Sequence, residues 1–129
     1  MSATFSARST ADAASAWSLM ARPRRWSEWA PHIRGAWGLG SPEVRNRALG
    51  AVRLVGFVLI PARIVAKSEG RMWAWRVGPA VLVHRVEPHP SGGCTVAIDM
   101  DAPRVITATY GPIVQLLLRR LASAAADLR

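Results

Sequence analysis

A few polar side chains stand where a largely apolar sequence could do chemistry. His84 falls between Leu82 and Val86 in an alternating stretch, which predicts it on the inward face of a strand. An imidazole there could act as a general acid or base, or hold a ligand carbonyl or hydroxyl, as enolisation or dehydration would require. It could equally be a core histidine bonded to a backbone group or to Tyr110, and a bulge near Pro79 would turn it outward. Tyr110, the only tyrosine, stands just before the C-terminal helix, with Arg104 nearby after Pro103. At a pocket opening this pair could polarise a carbonyl or hold a carboxylate; otherwise they are a helix-start tyrosine and a surface arginine.

The tryptophans are the second signal. Trp29, Trp37, Trp73 and Trp75 are expected to face inward, either filling the core, at roughly 150–250 Å² buried each, or stacking on a planar ligand. With Leu54, Val58, Val86, Ile98, Met100, Val114 and Leu117 they form the predicted wall of an apolar pocket. Other chemistries find no footing. There is no His-Glu-x-x-His, Cys-x-x-Cys or Gly-x-Ser-x-Gly, and no glycine-rich dinucleotide loop or phosphate-binding loop. His32, His84 and His89 lie in different elements without metal spacing, Cys94 is the only cysteine, and Asp99 and Asp101 share the predicted wet face. Neither a metal nor a cofactor is expected.

The elements that must position these groups read clearly. Ala3 to Arg8 is a strand. Ser9 or Thr10 offers a helix cap, and Ala13, Ala16, Trp17 and Met20 share one face of a helix over Ala11 to Ala21 that Pro23 stops. Arg25 to Trp29 is a short second helical turn ended by Pro31. Ile33, Gly35, Trp37 and Leu39 alternate on one strand face. From Gly50 a longer strand places Val52, Leu54, Gly56 and Val58 against Arg53, Val55 and Phe57, until Pro61 breaks or bends it. Further strands carry Ile64, Ala66 and Ser68, then Trp73, Trp75 and Val77, then Leu82, His84 and Val86. Pro90-Ser91-Gly92-Gly93 is a hairpin turn, and Val96, Ile98 and Met100 line the last strand. Short turns imply an antiparallel meander, with Arg85 and Glu87 facing Asp99 and Asp101 on the solvent side. Pro112 to Leu128 is an amphipathic helix: Gln115, Arg119, Ser123 and Asp127 form a polar ridge, and Val114, Leu117, Leu121, Ala124 and Leu128, broadened by Ile113 and Leu118, form the apolar face.

At 129 residues the chain is expected to form one domain, residues 1–129. No apolar run reaches the ~18 residues of a membrane-spanning helix, and no signal peptide is read, so a cytoplasmic location is the expectation. The net charge of +9 rests on sixteen arginines and Lys67, scattered along the sequence rather than gathered into a stripe. That scatter speaks against nucleic acid as a partner.

The order of these features resembles a known family. Ala16-Trp17-Ser18-Leu19, Arg25-Trp26-Ser27-Glu28-Trp29-Ala30-Pro31, Trp73-Ala74-Trp75-Arg76-Val77, His84-Arg85-Val86-Glu87 before Gly92-Gly93-Cys94-Thr95-Val96, and the Leu-Leu-Leu-Arg-Arg-Leu stretch at 116 to 121 carry the likeness. Over essentially the whole chain the sequence resembles the helix-grip, START-like (SRPBCC) superfamily, and most closely its bacterial polyketide cyclase/dehydrase and lipid-transport branch. The resemblance implies an α+β fold in which a curved antiparallel sheet of about seven strands wraps around a long C-terminal helix, with two short helices after the first strand. It implies a hydrophobic small-molecule partner, lipid-like or aromatic, held between sheet and helix. A cyclase or dehydratase using His84, Tyr110 or Arg104 is the enzymatic alternative. A partner-binding domain is a third, for which Val55, Phe57 and Val65 on the outer face are the only hint; they could equally form a homodimer contact.

Overall fold

Alternation carries the first element. β1 (Ser2–Ser9) exposes Ser2, Thr4, Ser6 and Arg8 and turns Ala3, Phe5 and Ala7 partly inward. α1 (Ala13–Ala21) follows, and its cap is Asp12 rather than Ser9 or Thr10: the Asp12 carboxylate accepts from the Ser15 N–H at 2.8 Å. The Ser9 hydroxyl is engaged elsewhere, donating to the Ala122 carbonyl at 2.7 Å. Pro23 ends α1 and begins a short 3-10 helix over Pro23–Glu28. The computed structural model describes residues 2–55 and 58–127. It continues through β2 (Ile33–Trp37), β3 (Leu49–Leu54), β4 (Leu59–Ser68), β5 (Met72–Val77), β6 (Ala80–Pro88) and β7 (Cys94–Asp101), and closes with α2 (Arg104–Ala126). The strands form one antiparallel sheet in the order β1-β7-β6-β5-β4-β3-β2. Sheet, closing helix and the two short helices after β1 make the expected helix-grip arrangement.

The indoles hold α1 in place. A helix leaves its last carbonyls without partners. Trp29 Nε1 donates to the Leu19 carbonyl at 2.9 Å, and Trp26 and Trp73 both donate to that of Met20, at 2.9 and 3.2 Å. The Val44 N–H satisfies Ala21 at 3.0 Å. Three tryptophans thus serve as C-caps for one short helix, which packs on β6 and β7.

Two bulges redirect side chains that strict alternation would place otherwise. One lies between Ile33 and Gly35, so Ala36, not Trp37, shares the inner face with Ile33 and Val52. Trp37 faces out, 54% exposed, with its indole lying over Gly35. The second lies between Ile64 and Ala66 and brings Lys67 opposite Trp73 on the inner side. There the only lysine meets Glu43 and Glu69, both at 3.1 Å, while Glu43 also accepts from Trp17 Nε1 at 3.2 Å.

The strand expected to run from Gly50 through Val58 is two strands. β3 ends at Leu54, the Leu54 N–H donates to the Val58 carbonyl at 2.7 Å, and β4 begins at Leu59. Gly56 and Phe57 lie outside the described residues. Val58 is half exposed at this reversal instead of facing inward. Pro61 sits inside β4, opposite Ala51 of β3, where β4 has run past the end of β5 and one of its sides is open. The β6–β7 hairpin turns at Pro90–Gly93 as expected, and Arg85 reaches Asp99 at 2.7 and 3.0 Å and pairs with Glu87.

α2 starts eight residues earlier than its proline suggested: it spans 23 residues with Pro112 inside. Tyr110 is therefore within the helix, not before it. After Pro112, Val114, Leu117, Leu118, Leu121 and Ala125 are buried, whereas Ile113 is 43% exposed and not part of the apolar face. Leu128 lies outside the described residues.

Candidate functional site

The helices cover the sheet unequally. α1 packs on β6 and β7, and α2 on β1 and β7, so that half of the inner face is filled. Over β3 to β5 only the first half of α2 approaches. Beneath it lies a cavity of about 200 Å³. The sheet contributes Val52, Leu54, Ile60, Trp75, Val77, Ala80, Leu82 and Met100; α2 contributes Ile106 and Tyr110; His32, Ile33 and Pro79 complete the wall. The leucines that fill the core come only after Pro112, and Gly111 lets the helix sit close on β1: a Cβ there would fall 2.8 Å from Phe5 Cζ.

Three of the lining side chains carry a polar atom. His32 Nε2 and Tyr110 Oη are 3.1 Å apart, with their rings edge-to-face at 6.4 Å. The Val55 N–H holds the His32 carbonyl at 3.0 Å, tying the residue to the β3–β4 reversal. Burial lowers the His32 pKa and raises that of Tyr110, so both are neutral at neutral pH. Either can donate in their mutual bond, according to the imidazole tautomer. The third is Trp75, whose buried Nε1 has no hydrogen-bond partner among the described residues. An unpaired buried N–H costs about 1–3 kcal/mol, and this one is shut off from the cavity as it is from solvent.

The remaining residues singled out in the sequence fall elsewhere. His84 is buried behind the cavity wall, stacked on Trp73 at 3.8 Å and 5° and edge-on to Trp75. Burial holds its pKa down at about 3, against the opposing pull of the Trp73 and Leu82 backbone. It is a neutral core imidazole and is not among the residues lining the cavity. Arg104 is exposed at the first position of α2, away from the lining. Trp73 is sandwiched between His84 and Trp26, the latter at 5.5 Å and 12°. Trp29, Val86, Ile98, Val114 and Leu117 are buried in the packed half, and Trp37 and Val58 are on the surface. Leu54, Trp75, Met100 and Tyr110 are the ones brought together at the cavity. His32 is the polar lining residue that sequence reasoning passed over. Its signal was weak: the residue after Pro31, considered only as a metal ligand. Among the described residues no cluster of three metal-binding side chains occurs.

A groove of about 450 Å³ between β1 and α2 is larger but shallow, lined by Ser6, Arg8, Ser9, Thr10, Gln115, Arg119 and Ser123. It lacks the largely apolar wall of the inner cavity.

Known proteins share this build. Among curated proteins none matches the chain. A Mesorhizobium loti protein of known structure superposes with a TM-score of 0.81 at 8% identity, covering 100% of this chain and 99% of that one. The protein XoxI of Bacillus cereus gives 0.76 at 17% identity, covering 98% and 96%. A START superfamily protein of Mycobacterium smegmatis gives 0.77 at 13%, covering 99% of each chain. At such identities the likeness establishes the fold alone. The sequence profile of the family described as polyketide cyclase / dehydrase and lipid transport matches residues 1–127. This chain therefore belongs to the polyketide cyclase/dehydrase and lipid-transport family, in a START-like fold.

Proposed function

We propose that the protein binds a small apolar molecule, of one or two rings or with a short acyl chain, in the cavity under the first half of α2. The observation that carries this reading is the cavity itself: about 200 Å³ with ten of thirteen lining residues apolar. That volume exceeds the ~150 Å³ that accommodates benzene in an apolar protein cavity and falls short of the ~300–1,000 Å³ typical for drug-sized ligands. A long-chain lipid would overfill it. His32 and Tyr110 would orient a single acceptor such as a carbonyl or phenol oxygen. Membership of a family of cyclases and lipid carriers supports ligand binding in general. The test is a titration followed by tryptophan emission, in which a two-ring phenol such as 1-naphthol should quench saturably and palmitate should not. Absence of saturable binding by any small apolar compound would overturn the proposal.

The His32–Tyr110 pair favours a second, enzymatic reading. A protonated tyrosine can hydrogen-bond a ligand carbonyl while a neutral imidazole beside it accepts a proton from the adjacent carbon, giving an imidazolium and an enolate whose oxygen the tyrosine O–H stabilises. Its check is Tyr110→Phe together with His32→Gln: turnover of an accepted polyketide-like substrate should fall at least about a hundredfold, far more than binding weakens. Unchanged turnover would remove His32 and Tyr110 from the mechanism, and no turnover of any such substrate by the wild type would leave binding as the function.

A further inference from the structure

The outer face of β2, β3 and β4 is unlike the rest of the surface. Of the nine large apolar side chains exposed among the described residues, six belong to these strands and their connections: Trp37, Leu49, Val55, Val58, Leu59 and Val65. Positive charge gathers in the same place. The segment from Ile33 to Ala66 carries Arg34, Arg45, Arg47, Arg53 and Arg63 against one acid, Glu43, and that acid is held by Lys67 and Trp17. Glu28 is paired with Arg25, Glu69 with Lys67, and Glu87 and Asp99 with Arg85. The strand register sets apolar and cationic groups side by side: Leu59 opposes Arg53, which opposes Gly35 under the Trp37 indole, and Leu49 opposes Arg63. Three of the sixteen arginines, Arg34, Arg53 and Arg63, thus stand on strands that carry exposed apolar side chains.

We propose that this face docks on an anionic lipid bilayer. Val55, Val58 and Leu59 at the β3–β4 reversal would enter the boundary between headgroups and acyl chains, and Arg34 and Arg63 would meet lipid phosphates. Aliphatic side chains beside arginines suit such an interface, where apolar groups bury by about 5–10 Å, and Trp37 is of the type that settles at headgroup level. A face for single-stranded nucleic acid would present a row of stacking aromatics instead. A second copy fits poorly, because a two-fold contact would set this arginine-rich face against itself. The surface also adjoins the cavity: Leu54 and Ile60 line it, and Val55 bonds His32. If the cavity reading above holds, docking would bring its opening to the phase in which apolar molecules concentrate.

The test is vesicle flotation of the full chain with phosphatidylcholine alone or with one third phosphatidylglycerol, at low and moderate ionic strength. Binding is expected on the anionic vesicles and to weaken with salt. The double variant V58D/L59D should lose at least about tenfold in affinity, and R34Q or R63Q about fivefold each, without a change in melting temperature. A blue shift of tryptophan emission on binding should be smaller in W37F. Three results would overturn the proposal: V58D/L59D bound as tightly as wild type, binding to duplex DNA with none to vesicles, or a dimer dispersed by L59D with none to vesicles. No cavity ligand is present in this assay, so its failure and that of the cavity titration are separate outcomes.

Discussion

One buried imidazole should set much of this protein's acid sensitivity. His84 is 3% exposed, stacked on Trp73, with Nδ1 unpartnered among the described residues, and its pKa lies at about 3. In the unfolded chain a histidine titrates near 6.5. The folded value is the lower of the two, so the unfolded state takes up the proton first as pH falls. Stability is therefore fully present above about pH 6.5 and declines as pH drops from there towards 3. At pH 5 the unfolded imidazole is mostly protonated and the folded one is not, which removes about 2 kcal/mol relative to pH 8; by pH 3 the loss reaches about 4–5 kcal/mol. Against a total stability of roughly 5–15 kcal/mol this is a large share. The assay is urea unfolding at pH 8, 6 and 5, comparing wild type with His84→Phe, which keeps a flat ring on Trp73 and removes both nitrogens. The variant should gain about 2 kcal/mol on wild type between pH 8 and pH 5. His32 and the ion-paired carboxylates Glu28 and Asp99 titrate in both proteins and cancel in the comparison. Parallel pH profiles, or a His84 imidazole titrating near pH 6 by NMR, would refute the reasoning.

Other perturbations test the packing and the cavity. Trp29→Phe keeps an aromatic ring, though a smaller one, but leaves the Leu19 carbonyl without its indole donor, and should cost about 1–3 kcal/mol in denaturant unfolding; no loss would mean that the indole cap is dispensable. Gly50→Ala would place a methyl group against the Trp37 carbonyl, backbone that cannot swing aside. It should destabilise by about 1–3 kcal/mol, more than Ala's advantage over Gly in a strand, and a stabilised variant would contradict the β2–β3 register. Val77→Phe fills the cavity and should abolish quenching by 1-naphthol while the melting temperature holds or rises. Retained binding would place the ligand elsewhere.

Much of the fold was legible in the sequence because periodic burial leaves a periodic pattern. β5 to β7, the Pro90–Gly93 turn, the two short helices and the apolar face beyond Pro112 all follow from side chains alternating at period 2 or recurring at period 3.6. The departures share one cause: a single residue can break the period without a sequence mark. The bulges at Arg34 and Val65 turned Trp37 outward and Lys67 inward. Pro112, read as a helix start, lies in mid-helix, which moved Tyr110 into the helix and over the cavity.

The site shows the same division. Local sequence determined the fold class, the inward direction of Trp73, Trp75, His84 and Met100, and the scarcity of polar groups on the inner face, because each depends on near neighbours along the chain. Only the tertiary structure decided which inward residues meet packing and which meet space. α1 and the later half of α2 cover β6, β7 and β1, so His84 and Trp73 are sealed in. The earlier half of α2 does not fill the volume over β3 to β5, so Trp75 and Tyr110 face a cavity in which His32, far away in sequence, joins them. Helix placement over a sheet is a long-range balance of side-chain volumes, and no local pattern of residues encodes it.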